Sequence, residues 1–174
     1  MIALFGGSFD PPHLGHVLAA VHARLVAEVE AVWVLPVHAH PWRKALAPFA
    51  ERVAWCRAAF ADLPFVAVHE DERDNPSGTT WDLLDLLEAR HPGRRFALLG
   101  GTDTARDLPG WHRGAELAAR LPVVVVPRRG YDEADPAALP ALSSSLIRRR
   151  AAAGESIAGL VPAAVARIFR PGSP

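Results

Sequence analysis

Five short runs that are apolar almost throughout, at residues 2–5, 31–35, 65–68, 95–99 and 122–126, alternate along the chain with longer segments of helical spacing. Such runs suit strands covered on both faces, and strands separated by helices build a parallel sheet wrapped by crossover helices. The spacing predicts a helix carrying a stripe of Leu14, Val17, Leu18, Val21 and Leu25, and a second carrying Phe49, Val53, Cys56 and Phe60. Leu83, Leu84, Leu86 and Leu87 mark a third, and Val161, Val165 and Ile168 a short last one, because residues three and four apart share a helix face. The expected fold is α/β: a doubly wound, Rossmann-like parallel sheet of about five strands with flanking helices. Ligands of such sheets bind beyond the carboxyl ends of the strands, where the strand order reverses, so functional residues should gather at strand-to-helix turns.

A chain of 174 residues fits one domain, expected over residues 1–170 with 171–174 as a frayed tail. The Pro-rich stretch 129–140 reads as a surface loop, and no sixth strand is evident between Pro127 and Leu142. Nineteen basic residues balance nineteen acidic ones, which leaves no global positive field for a polyanion, and no nucleic-acid partner is expected. Cys56 is the single cysteine, so an intramolecular disulfide is excluded, and its place in an apolar stripe makes it core rather than nucleophile. No signal peptide or run of transmembrane length is present; no membrane partner is expected, and the cytoplasm is the expected setting. His38 and His40 have no third ligand close in sequence and read as loop histidines, so no protein metal site is expected.

The densest signal lies between the first strand and the first helix, where residues 4–16 read LFGGSFDPPHLGH. Gly6 and Gly7 remove side chains where a backbone must turn tightly and approach a ligand. Asp10 followed by Pro11 and Pro12 predicts a helix opening after Asp10, since Asp is an N-cap type and proline lacks a donor that the first turn would leave orphaned. A helix amino end at a sheet edge attracts phosphate. His13 and His16, three apart, would share a face in that first turn. Gly15 between them is costly in a helix unless something must approach closely.

This stretch resembles the signature of the nucleotidyltransferases with an HxGH motif, in particular the bacterial nicotinate-mononucleotide adenylyltransferases. The segment from Leu142 through Ser143, Ser144 and Ser145 to Arg148 is similar to that family's ISSTxxR pattern. Gly101-Thr102-Asp103 resembles its Gly-Ala-Asp, and residues 108–113, LPGWHR, resemble its Leu-Pro-x-Trp-His-Arg. Residues 79–84, TTWDLL, are similar to the threonine-containing start of its third helix. The likeness covers nearly the whole chain.

The resemblance implies an enzyme that transfers AMP from ATP to nicotinic acid mononucleotide, releasing pyrophosphate, as a step of NAD biosynthesis. Nicotinamide mononucleotide or another phosphorylated metabolite stays open as acceptor, and a non-catalytic nucleotide-binding module is the alternative of another class. No covalent intermediate is needed, so catalysis would rest on positioning and on donors aimed at developing charge. The resemblance assigns His16 to the α-phosphate with His13 beside it, and the backbone of Gly7, Ser8 and Phe9 to the phosphate cradle together with Gly6 and Gly15. One of Ser143, Ser144 and Ser145 would cap a helix whose first amides face the β- and γ-phosphates, with Arg148 in its first turn reaching the same oxygens. Arg149 and Arg150 read as a solvated basic face. Either Arg43 or Lys44, after the second strand, would add positive charge. For the mononucleotide, the resemblance implies Trp111 stacked on the pyridine ring, Thr80 beside the ring's acid or amide group, and Gly101, Asp103 and Asp10 around the rest. Mg²⁺ would be held by ATP phosphates and water. A homo-oligomer is left open.

Overall fold

The computed structural model describes residues 1–39, 45–127 and 138–171. Its strands are β1 (Ile2–Gly7), β2 (Ala31–Pro36), β3 (Val66–Val68), β4 (Phe96–Gly101) and β5 (Val123–Val126). The helices are α1 (Leu14–Val26), α2 (Phe49–Phe60), α3 (Thr80–Arg90), α4 (Thr102–Asp107), α5 (Gly114–Arg120), α6 (Ser144–Ala152) and α7 (Ala163–Ile168). The strands form one sheet in the order β3-β2-β1-β4-β5, and all pairs are parallel. This is the doubly wound α/β fold expected from the alternation of runs. The chain builds outward from β1 through β2 to β3, then returns to lay β4 on the other side of β1. The order therefore reverses between β1 and β4.

Strand alternation divides the core between the two faces of the sheet. Ala3 and Phe5 of β1 pack with Ala20 of α1, Cys56 of α2, Ile147 of α6 and Val165 of α7. Ile2 and Leu4 turn the other way, toward Leu84 and Leu87 of α3 and Leu117 of α5. Each fully buried Leu or Phe contributes about 1.5–3 kcal/mol, so both faces are strongly specified. Cys56 is fully buried, and burial pushes its thiol well above its ordinary value, which suits the core role.

Two helix faces differ from the expected ones. The side of α1 that meets the sheet carries Ala19, Ala20 and Ala23, while Leu18 and Leu25 are 45% and 79% exposed. Small side chains let the helix backbone lie close against the sheet, and close packing outweighs the larger apolar area of the leucine stripe. In α7, Val165 is buried but Ile168 is 45% exposed, and Phe169 just past the helix end fills the core instead, its ring 5.1 Å from that of Trp55. Among the described residues, no helix is long and apolar enough to cross a membrane. His40, Arg43 and Lys44, most of the 129–140 stretch and most of the 171–174 tail lie outside the described residues.

Candidate active site

A cavity of about 820 Å³ opens at the carboxyl ends of β1 and β4, where the reversal of strand order leaves a crevice, and its size lies in the range of small-molecule sites. Gly6, Gly7, Ser8 and Phe9 line it from the turn after β1, joined by His13, Gly15 and His16 at the start of α1. Ser143, Ser144 and Ser145 line it from the amino end of α6. Thr80 of α3, Gly101 and Asp103 after β4, and half-buried Trp111 complete the wall. Segments spread across the whole chain thus meet in one place.

The first helix opens three residues later than expected. His13, not Asp10, is the N-cap of α1, with extended backbone (φ −136°, ψ 172°). Asp10 and Pro11 each precede a proline, which holds them out of the helical region and delays the first turn. Phe9 has φ 47°, in the left-handed region that a bulky residue rarely enters. Packing sustains it: the Phe9 ring is 1% exposed and sits 5.4 Å from Phe5 and 4.8 Å from His16. A side chain at Gly15 would bring its Cβ to 3.0 Å from Nδ1 of His13, so the glycine expected to permit close approach makes room for that imidazole.

The two imidazoles stack at 3.7 Å with planes 25° apart. Nδ1 of His16 accepts a hydrogen bond from the backbone N–H of His13 at 3.1 Å. An imidazole that accepts at Nδ1 carries its proton at Nε2, so His16 is set up as an Nε2–H donor.

At α6, Ser143 is the N-cap, and its hydroxyl accepts from the Leu146 N–H at 3.2 Å. Ser144 donates its hydroxyl to the Pro11 carbonyl at 2.9 Å. Arg148 is the fifth residue of the helix, just past the first turn in which it was expected, and its guanidinium donates to the Asp10 carbonyl and reaches the Asp10 carboxylate at 3.4 Å. The amino ends of α1 and α6 are therefore bound to each other beside one cavity. Asp10, 4% exposed, and Arg148 are not part of the cavity lining; they pair with each other next to it.

Three contributors escaped the sequence reading. Arg52 of α2 is 2% exposed and donates to the carbonyls of Ser8, Val37 and Ala47, each at 2.8 Å. It ties the turn after β1 to both ends of the segment joining β2 to α2. An arginine three residues after Phe49 and four before Cys56, on the apolar stripe of the helix, was the available signal. Thr79 caps α3, its hydroxyl accepting from Asp82 N–H at 3.3 Å, and lines the cavity beside Thr80; a Thr three residues before an acid is a capping pattern. Glu72, in a 3-10 turn at Asp71–Asp74, is 5% exposed and lines the cavity. Burial pushes its carboxyl up to about 7, against a hydrogen bond from Asn75 that lowers it. Nothing in the charged run HEDERD set it apart.

Trp111 is positioned by its chain neighbours. Its N–H donates to the Leu108 carbonyl at 3.0 Å, and its own carbonyl accepts from Gly114 at 2.9 Å. Arg113, at φ 53°, reverses the chain and lays its guanidinium 3.7 Å over the ring of Trp81. A Cβ on Gly114 would fall 2.2 Å from the Leu108 carbonyl oxygen, and that backbone cannot give way without moving Trp111. Gly114→Ala is therefore expected to destabilise the protein by about 1–3 kcal/mol, read from urea denaturation. An unchanged midpoint would show that the contact relaxes at no cost.

The fold and the cavity define a nucleotide-binding α/β protein of the cytidylyltransferase-like class, whose family description matches residues 4–150. A relative from Anaeromyxobacter sp. (strain K), named "Probable nicotinate-nucleotide adenylyltransferase", is 43% identical over 171 residues, 95% of this chain and 91% of that protein. One of the same name from Bacillus pumilus is 35% identical over 97% of this chain and 95% of that protein. The nicotinic acid mononucleotide adenylyltransferase of Plasmodium falciparum, solved in complex with NaAD, shares the fold with a TM-score of 0.76 at 21% identity, over 90% of this chain and 86% of that one. Within the cytidylyltransferase-like class, the chain belongs to the nicotinate-nucleotide adenylyltransferase family.

Proposed function

We propose that this protein transfers the adenylyl group of ATP to nicotinic acid mononucleotide, giving the dinucleotide and pyrophosphate in NAD biosynthesis, as a cytoplasmic enzyme. The observation that carries this reading is the convergence of the amino ends of α1 and α6 on one cavity beside the stacked pair His13 and His16. Two helix amino ends facing one space favour a polyphosphate, because each attracts negative charge.

An oxygen of the acceptor phosphate attacks the α-phosphorus of ATP; the new P–O bond forms as the bond to the β-phosphate oxygen breaks, and pyrophosphate leaves in line. The protein needs to hold the two reactants and stabilise charge on the α-phosphate oxygens. His16 supplies Nε2–H to that phosphate, its tautomer fixed by the His13 N–H. Backbone from Gly6 to Phe9, with the open approach left by Gly15, cradles the phosphates. Ser143, Ser144 and Ser145 present the first amides of α6 to the β- and γ-phosphates, and Arg148 adds the guanidinium donors that Asp10 does not occupy. These amides, hydroxyls and imidazoles suit phosphate oxygens and leave an accompanying Mg²⁺, which supplies further charge neutralisation when bound, to phosphate and water. Either Arg43 or Lys44 is the further phosphate partner in this reading.

On the acceptor side, the Trp111 indole offers a stacking surface for an electron-poor pyridine ring. Asp103 accepts from ribose hydroxyls near Gly101. The amino end of α3, with Thr79 and Thr80, meets the ring's carboxylate. Initial rates of pyrophosphate release with ATP and each mononucleotide test this reading. The acid is expected to exceed the amide in kcat/KM by about tenfold or more. A preference for the amide would overturn the acceptor assignment, and ATP binding without pyrophosphate release would overturn the enzyme reading.

A further inference from the structure

Glu72 is a carboxyl in an unusual place. It lines the cavity with Thr79 and Thr80 while being 5% exposed. Its Oε2 accepts from Nδ2 of Asn75 at 2.9 Å, and that amide, itself 2% exposed, also donates to the carbonyl of Thr79 at 3.1 Å. Ser77 donates to the other end of Asn75 at 3.0 Å. The carboxyl is thus fixed by a buried network that ends on the residue capping α3, the helix whose amino end faces the acceptor.

We propose that Glu72 decides between a charged and a neutral acceptor ring: as the neutral acid it admits a ring carboxylate beside α3, and as the carboxylate it repels one. The proposal rests on the adenylyl-transfer reading above and names a specificity residue for that site.

The surrounding charges do not supply this behaviour. The neighbouring cations of the 3-10 turn and of α3 are engaged elsewhere: Arg73 with Glu70, and Arg90 with Asp71 and Asp74. His69 meets Asp71. On α3, Asp82 is held by Thr79, and Asp85 and Glu88 by Arg120. β2, which packs on the same turn, has no titratable side chain. Asp103, Asp107 and His112 share the cavity wall, along with His13 and His16. Burial holds the Glu72 carboxyl neutral up to about pH 7. An arriving ring carboxylate favours the protonated form further, so above that pH its binding must draw a proton from solvent and weakens as pH rises, by at most about tenfold per unit. An amide carries no charge and can donate to either form of the acid.

The test compares KM for nicotinic acid mononucleotide with KM for nicotinamide mononucleotide from about pH 6 to 8.5, in the native sequence and in Glu72→Gln. The mononucleotide phosphate and the stacked histidines are common to the reactions of both substrates, so their effects cancel in the ratio. The acid-to-amide KM ratio is expected to be flat below about pH 7 and to climb roughly tenfold above it, with the kcat ratio unmoved; in Glu72→Gln it stays flat throughout. A flat ratio in the native enzyme, or the same climb in the variant, would overturn the proposal. Should Glu72→Gln not fold, calorimetry of the native enzyme in buffers of different ionisation enthalpy decides: proton uptake on binding the acid but not the amide supports it, and equal uptake sinks it. Absence of pyrophosphate release with either mononucleotide would bring down the adenylyl-transfer reading and this one with it, whereas a flat ratio in an active enzyme removes Glu72 alone.

Discussion

Replacing His16 by alanine is expected to lower kcat by about two to three orders of magnitude, the range found when a single donor to developing negative charge is removed. The ring is half-buried against His13 and Phe9 and accepts one backbone hydrogen bond. Its removal takes away the Nε2–H donor that this bond orients. Because the role proposed for that donor is strongest in the transition state, kcat and kcat/KM should fall together while KM for ATP moves little. Circular dichroism and thermal melting should find the variant folded. Near-normal turnover would refute the role given to His16, and a collapsed melting curve would show that the residue is structural.

Arg52→Met should produce the largest loss of stability among single changes outside the apolar core. The guanidinium spans the carbonyls of Ser8, Val37 and Ala47, and methionine fills part of the volume but donates nothing. Leaving buried acceptors without donors costs about 1–3 kcal/mol for each that water cannot reach. A loss on the order of 3 kcal/mol corresponds to roughly 6–12 °C in Tm for a chain of this size. Lysine should not rescue it, since a single ammonium cannot reproduce the planar fork that meets three carbonyls. Where the variant still folds, KM for ATP should rise, because Ser8 belongs to the turn proposed to cradle phosphate. A melting temperature within a degree or two of the native protein's would contradict this account.

Much of the architecture could be read because the central strands are buried on both faces and the edge strands are apolar too: all five announce themselves as apolar runs. The turn between β1 and α1 was legible for a different reason. Glycines, prolines and paired histidines crowd into a dozen positions there, and each answers a local backbone demand. What stayed hidden depends on tertiary contacts. The leucine stripe of α1 satisfies helical spacing as well as the alanines do, and only the proximity of the sheet favours the smaller set. Helices α4 and α5, of six and seven residues, are too short for a period to declare itself. The late start of α1 follows from two successive prolines that also resemble a start signal. Arg52 and Glu72 carry charges that sequence assigns to solvent, and it takes the folded chain to show three carbonyls waiting for one and a buried asparagine holding the other.

The contact between Ser144 and Pro11 joins positions 133 residues apart. On a ribosome, the glycine turn is made long before the serine segment exists, so a nascent chain carries half a nucleotide site that cannot yet function. The cavity wall is completed only by the segment whose Ile147 and Val165 pack onto the sheet. The dependence would also run in reverse: in the proposed binding mode ATP meets both halves, and its binding free energy is added to the stability of the state in which α6 and α7 are docked. Substrate concentration would thereby set how often the segment carrying α6 and α7 is exposed to proteases.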